Sequence, residues 1–236
     1  MRARLVMVLA ALGAAAFVAG CANTPGGSTT PTPTPIVNDN GVSALAANEI
    51  LEKAKTALGD AKSVRIKGSA TEAGEKMELD FKISGEDLSA TISGSGLSME
   101  IIKIGTDVYM KADSLWETFL SGQPQVLALI KGKYLKIPAT DERFKQFTQI
   151  TDPDELLKPE GNLSKGQTKT INGKPAIGLV DDKDKSTLYI STVDEPLPLR
   201  VEDESGSGLD FTYDEAVTVT APPAAEVVDA SKLPGF

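Results

Sequence analysis

Between Ser63 and Lys111 the apolar residues recur at every second position, and the alternation restarts after each short turn. Val64, Ile66, Gly68 and Ala70 alternate with Arg65, Lys67, Ser69 and Thr71, and Met77, Leu79, Phe81 and Ile83 alternate with Glu78, Asp80 and Lys82. Leu88, Ala90 and Ile92 continue the pattern, then Leu97, Met99 and Ile101, then Val108 and Met110. Turns are read at Ala73-Gly74, Gly85-Glu86-Asp87, Gly94-Ser95-Gly96 and Gly105-Thr106-Asp107. Successive side chains on a strand point to opposite faces, so a period of two means one oily face and one wet face. Connections this short join antiparallel neighbours, because a parallel pair needs a crossover of a dozen residues or more. The stretch is constrained to a five-stranded meander with one side to be covered.

Two other segments can do the covering. With Ser43 as N-cap, Ala47, Ile50, Leu51, Ala54 and Leu58 fall at helical spacing until Gly59 stops the run, which predicts an amphipathic helix of about four turns. From Asp113 to Pro159 the alternation lapses: Leu115, Trp116, Phe119, Leu120, Val126, Leu127, Leu129 and Ile130 read as short helices, and Lys133 to Ile137 as a strand. Phe144, Phe147, Ile150, Leu156 and Leu157 follow, and Asp152-Pro153-Asp154-Glu155 is a helix start with an Asp cap and proline at the first position. Helices this short need an apolar surface to lie on. After Gly161 strands return, with Asn172-Gly173 as a hairpin turn, then Leu188 to Ile190, Leu199 and Val201, and Leu209, Phe211 and Tyr213. Val217 and Val219 extend the last run, and Pro222 to Phe236 is read as packing along an edge. The fold class expected is α+β: a single large curved antiparallel β-sheet, a half-barrel, with helices packed on its concave face.

The front of the chain is a different material. Arg2 and Arg4 precede an apolar run from Leu5 to Val18, too short to cross a bilayer but matching a secretory leader. It ends Val18-Ala19-Gly20-Cys21, which resembles a bacterial lipobox. Residues 1–20 are read as a lipoprotein signal peptide, and Cys21, the one cysteine, as the lipidation site. More than one acyl chain makes such a tether lasting, at about 0.8 kcal/mol per buried CH₂. Residues 21–41 are the lipidated cysteine and a Thr/Pro/Gly linker, extended and partly polyproline in character. Residues 42–236 are the folded domain. Localisation follows: exported, lipid-anchored, on the outer face of the cytoplasmic membrane.

The composition excludes much chemistry. There is no histidine, so Ser-His-Asp and Cys-His catalysis and His-ligated metals are out. No phosphate-cradling glycine loop is present. Asp181-Asp182-Lys183-Asp184-Lys185 lacks the spacing and closing glutamate of a calcium loop and reads as a solvated turn. Acid pairs such as Glu202 and Glu204 are of a kind common in acidic chains. The chain is read as not an enzyme, with no cofactor and no metal. Its formal net charge of −9, with no basic patch, argues against nucleic acid as a partner.

The helix "ANEILEKAKTALGDAKSVRIKG" and "GTDVYMK", with the lipobox and stalk, resemble the actinobacterial LppX/LprG class of lipoproteins. The segments "GKYLKIPATDERF", "TLYISTVDEPLPLRVE" and "VTVTAPPAAEVVDASKL" resemble uncharacterised members of that group. The resemblance implies a LolA/LolB-like half-barrel whose interior binds acyl chains of envelope lipids or glycolipids and carries them within the envelope. It supplies no ligand contacts residue by residue. The expected lining comes from the alternation: Val64, Ile66, Met77, Leu79, Phe81, Ile83, Leu88, Ile92, Leu97, Met99, Ile101, Val108 and Met110. A filled core would use the same residues, which leaves a non-catalytic envelope scaffold with a solid core as the alternative. The partners expected are the membrane, through the anchor, and an acylated lipid; the chain is expected to be a monomer, and no membrane transporter is specified.

Overall fold

A computed structural model describes residues 39–72, 75–138 and 152–233. The leader, Cys21, most of the linker, the turn at Ala73-Gly74, and Phe144, Phe147, Ile150 and Phe236 lie outside the described residues. Twelve strands form one sheet in the order β12-β6-β5-β4-β3-β2-β1-β11-β10-β9-β8-β7. The meander is β1 (Ser63–Glu72), β2 (Glu75–Ser84), β3 (Asp87–Gly94), β4 (Leu97–Ile104) and β5 (Asp107–Lys111). On one flank lie β6 (Tyr134–Pro138) and β12 (Val227–Asp229). On the other lie β7 (Leu163–Ile171), β8 (Lys174–Asp181), β9 (Thr187–Ser191), β10 (Pro198–Glu202) and β11 (Gly208–Tyr213). Strands before and after the helical stretch therefore share one open, curved sheet.

Among the described residues all strand pairs are antiparallel but one: β12 runs parallel to β6, with Val227 opposite Tyr134, so the sheet is mixed. The tail docks on an edge as its lack of pattern suggests, while Val217 and Val219 lie outside any strand. At the β7–β8 hairpin Asn172 and Gly173 both take positive φ, 50° and 81°, the turn that matches the twist of the flanking strands.

The helices lie on one face. In α1 (Ala47–Asp60) the buried side chains are Ile50, Leu51, Ala54 and Leu58, four of the five in the predicted stripe, with Ala47 at the helix start half-buried. Its N-cap is Ala46 and not Ser43, which sits in a 3₁₀ turn over Val42–Ala44. Glu49 replaces the missing cap oxygen in part by accepting the Ala46 N–H at 2.9 Å. Among the described residues the other α-helices are α2 (Asp113–Phe119), α3 (Pro124–Ile130) and α4 (Pro153–Leu156). Ile50, Ala54, Trp116, Leu120, Val126 and Ile130 share one core cluster with the apolar face of the sheet.

β1 and β11 approach closely at glycine. A Cβ on Gly68 would stand 2.1 Å from the Gly208 carbonyl oxygen, and one on Gly208 would stand 2.2 Å from the Val201 carbonyl oxygen. Gly68 has φ +155°, beyond the ordinary range of side-chain-bearing residues.

Candidate functional site

The strand register orders the inner face into transverse rows. The lowest runs Val64, Ile83, Leu88, Lys103, Val108, Ile137 across β1 to β6. The next runs Phe211, Ile66, Phe81, Ala90, Ile101, Met110, Leu135. Above it come Val201, Leu209, Gly68, Leu79, Ile92 and Met99, and higher still Ala70 opposite Met77 and Leu97 opposite Gly94. All thirteen expected lining residues fall on this one face.

Their exposure depends on the row. The two lower rows are buried throughout, with Leu88, Val108, Met110, Leu135 and Ile137 at 0%. Met77, Leu79, Ile92 and Leu97 are half-buried, as are Val201 and Leu209 beside them, whereas Met99 in the same upper rows is buried. Nine of the thirteen candidates are therefore already packed by the chain itself, and four are open at the upper end. At that end α2 and α3 join β5 to β6, and Leu129 on α3 is 54% exposed. At the lower end a cleft of about 270 Å³ lies against the first row, walled by Leu58, Val64, Ile83 and Leu156 and edged by Ser63 and Glu86.

Lys103 is the one polar residue in the two lower rows and was not among the expected lining. It continues the period of Leu97, Met99 and Ile101, so counting one step further along β4 finds it. It is 8% exposed, and its Nζ donates to the Glu86 carbonyl oxygen.

The outer face is polar and internally paired. Arg65 donates through Nε and a terminal nitrogen to Asp80, at 2.8 and 2.6 Å, and that bond holds the Asp80 carboxyl below its ordinary range. Glu202 is held by cationic and hydroxyl donors. It accepts from Lys169 at 2.8 Å, Tyr189 at 2.9 Å and Arg200 at 3.0 Å. Burial pushes its carboxyl up, but these three donors outweigh burial and keep it below the ordinary value. A carboxylate held ionised in this way is a poor proton donor.

The turn after β8 is not wholly solvated as expected. Asp181 is buried, and its carboxylate accepts backbone N–H groups of Glu160 and Gly161, at 2.8 and 2.9 Å, and of Lys183 at 2.8 Å. Burial raises this carboxyl, and the backbone donors more than reverse it. Asp181 fastens the turn to the start of β7. Among the described residues no group of acids is placed to hold a metal ion, and no helix is long and apolar enough to cross a membrane.

No protein-family model matches the chain, and no curated protein matches it. Among solved structures, an uncharacterized conserved protein from Thermus thermophilus is 15% identical, covering 78% of this chain and 98% of that one at a TM-score of 0.43. A chain of the Pseudomonas aeruginosa MucA/MucB complex is 15% identical over 71% of this chain and 55% of that one, TM-score 0.36. A chain of MucB in complex with MucA(peri) is 13% identical over 71% and 53%, TM-score 0.32. The chain spans about half the length of those last two.

Proposed function

We propose that this chain is an exported envelope lipoprotein, tethered through Cys21, whose inner sheet face binds acyl chains and carries them within the envelope. The observation that carries the reading is the row-by-row opening of one apolar face, from closed at Val64–Ile137 to half-open at Met77, Leu79, Ile92 and Leu97. An apolar chain gains on the order of 10 kcal/mol when buried, before ordering costs, so it needs no charged contact to be held. The flexible Met77 and Met99 suit a wall that must yield to fit a tail. The lipobox-like ending at Cys21 and the resemblance to LppX/LprG lipoproteins support the same reading. In it the chain is a monomer, acts without cofactor and performs no catalysis.

A non-catalytic scaffold with a solid core is the second reading, favoured by the nine candidates that the chain itself already buries. Lipid extraction separates the two. The chain with Cys21→Ala, purified from its envelope fraction without detergent exchange, is expected to yield about one acylated molecule per chain by mass spectrometry. Recovery of none would leave the scaffold. Metabolic labelling with an alkyne fatty acid tests the tether: the label is expected on the wild-type chain and absent from Cys21→Ala.

A further inference from the structure

A surface stretch without charge lies at the half-open end of the sheet. β5 leaves the sheet at Lys111, one step above the row of Ile101 and Met110, and β6 rejoins it at Tyr134, one step above Leu135. Helices α2 and α3 therefore sit at the same end as Met77 and Leu97, and α2 packs on β4. Between Glu117 and Lys131 the chain carries no ionisable side chain, although 24% of its residues are charged. Pro124, Gln125, Ala128 and Leu129 of α3 are exposed, and at 54% Leu129 is the one exposed large hydrophobic among the described residues. Beside it a cleft of about 270 Å³ runs between α2 and α3, walled by Trp116, Leu127 and Ile130.

The size of this face and the reach of the tether point to a bilayer as its cover. A seven-residue helix, about 10 Å long, offers far less than the roughly 800 Å² per partner that a stable protein interface buries. A bilayer needs no such area, since each apolar group it takes in contributes separately. Lys131 and Lys133 flank the helix and are exposed, and long lysine stems reach from an apolar surface to the headgroups. The acids nearby are occupied, Glu117 by Lys131 at 3.6 Å and Asp113 by the Gly132 N–H at 2.9 Å. The tether enters at the closed end, through Asn40 at the end of β9, because β9 runs from Leu188, opposite Val201 of the upper row, down to Ser191. At about 3.1 Å per residue the stretch from Cys21 to Asp39 can reach about 55 Å. That exceeds the roughly 33 Å length of β1 that it must pass to bring the opposite end to the membrane.

We propose that α3 is the face this chain turns to the bilayer. Leu129 enters the headgroup boundary with Pro124 and Ala128 beside it, and the half-open rows of Leu79, Ile92 and Leu97 are thereby set against the membrane from which an acyl chain comes. This rests on the tethered, acyl-binding reading and adds to it the orientation of the domain.

Hydrogen-exchange mass spectrometry tests the proposal on the mature chain from Cys21 onward, coupled through that cysteine to a maleimide-bearing lipid in phosphatidylcholine vesicles. Amides of α3 are expected to exchange about fivefold slower there than in the same chain capped with N-ethylmaleimide in solution, the effect of burying about half a leucine side chain. Leu129→Asp is expected to return them to the solution rate, Leu129→Met to keep the slowing, and β7 to be unaffected throughout. Equal exchange on and off the vesicles, or slowing that survives Leu129→Asp, would overturn the docking face. Slowing in solution that grows with protein concentration would overturn the bilayer in favour of a second copy. Slowing only on vesicles that carry envelope proteins would overturn it in favour of a protein partner. Lipid recovery from the Cys21→Ala chain reads acyl binding separately, so either reading can fail while the other stands.

Discussion

The two lower rows and the two upper rows of the inner face share their aliphatic residue types, yet they differ in how far they are exposed. Below, Leu88, Val108, Met110 and Leu135 are fully buried in one core cluster with residues of α1, α2 and α3. Above, Met77, Leu79, Ile92 and Leu97 keep part of their surface in water. The difference arises in the cover, since the alternation is uniform. Apolar character alone therefore does not distinguish the two zones; what distinguishes them is how much of it the described residues leave uncovered.

Substitution in the two zones breaks or sharpens that contrast. Leu88→Ala is expected to cost about 2–5 kcal/mol in denaturant unfolding, as for a sealed core leucine. Ile92→Ala is expected to cost about 1 kcal/mol, because less area leaves water there, and to weaken acyl binding more than it weakens folding. Equal costs would erase the distinction between the zones. Gly68→Val probes the upper zone where β1 meets β11. A Cβ has no room beneath the Gly208 carbonyl, so a loss of about 2–3 kcal/mol is expected, with β11 amides exchanging faster by hydrogen-exchange mass spectrometry.

Asp181→Ala tests how the second half of the sheet is fastened, and about 1–2 kcal/mol is expected from three backbone donors left unpaired. Its carboxyl is lower in the folded chain than unfolded, so its contribution is complete above the ordinary carboxylate range, near pH 4. That contribution is lost as pH falls through the folded value, and the acid limb of a stability profile should flatten in the variant. Asp80→Asn on the outer face is the smallest case. Its partly exposed pairing with Arg65 predicts a loss of about 0.2–1 kcal/mol in thermal unfolding, reduced further by salt.

Much of this architecture was legible in the residues. Alternation located β1 to β5 and put all thirteen lining candidates on one shared face, because pleat parity is a local property. The Asn172-Gly173 hairpin and the α1 stripe were legible for the same reason. The cap of α1 was not: Ser43 has the right side chain, but the chain spends it in a 3₁₀ turn before the helix begins. The parallel seating of β12 on β6 joins residues far apart in sequence, and three residues carry too little pattern to announce it. Which candidates are sealed depends on where α1, α2 and α3 come to rest, which no strand records. Lys103 was missed because a charged residue ends an apolar run in any reading by composition, whereas parity carries straight through it.

Asn40 ties the amino-terminal approach of the chain to the end of β9. Its backbone N–H bonds the Thr192 carbonyl and its side-chain amide bonds the Ser191 carbonyl, each at 3.0 Å, next to the Asp39–Val193 bridge. Tension arriving from the amino-terminal side thus meets a small clasp on the β9–β10 connection before it reaches any helix or the centre of the sheet. Pulled, the molecule would shed this clasp as a first, inexpensive extension, its load borne at the end of β9 through Ser191 before any reached α1.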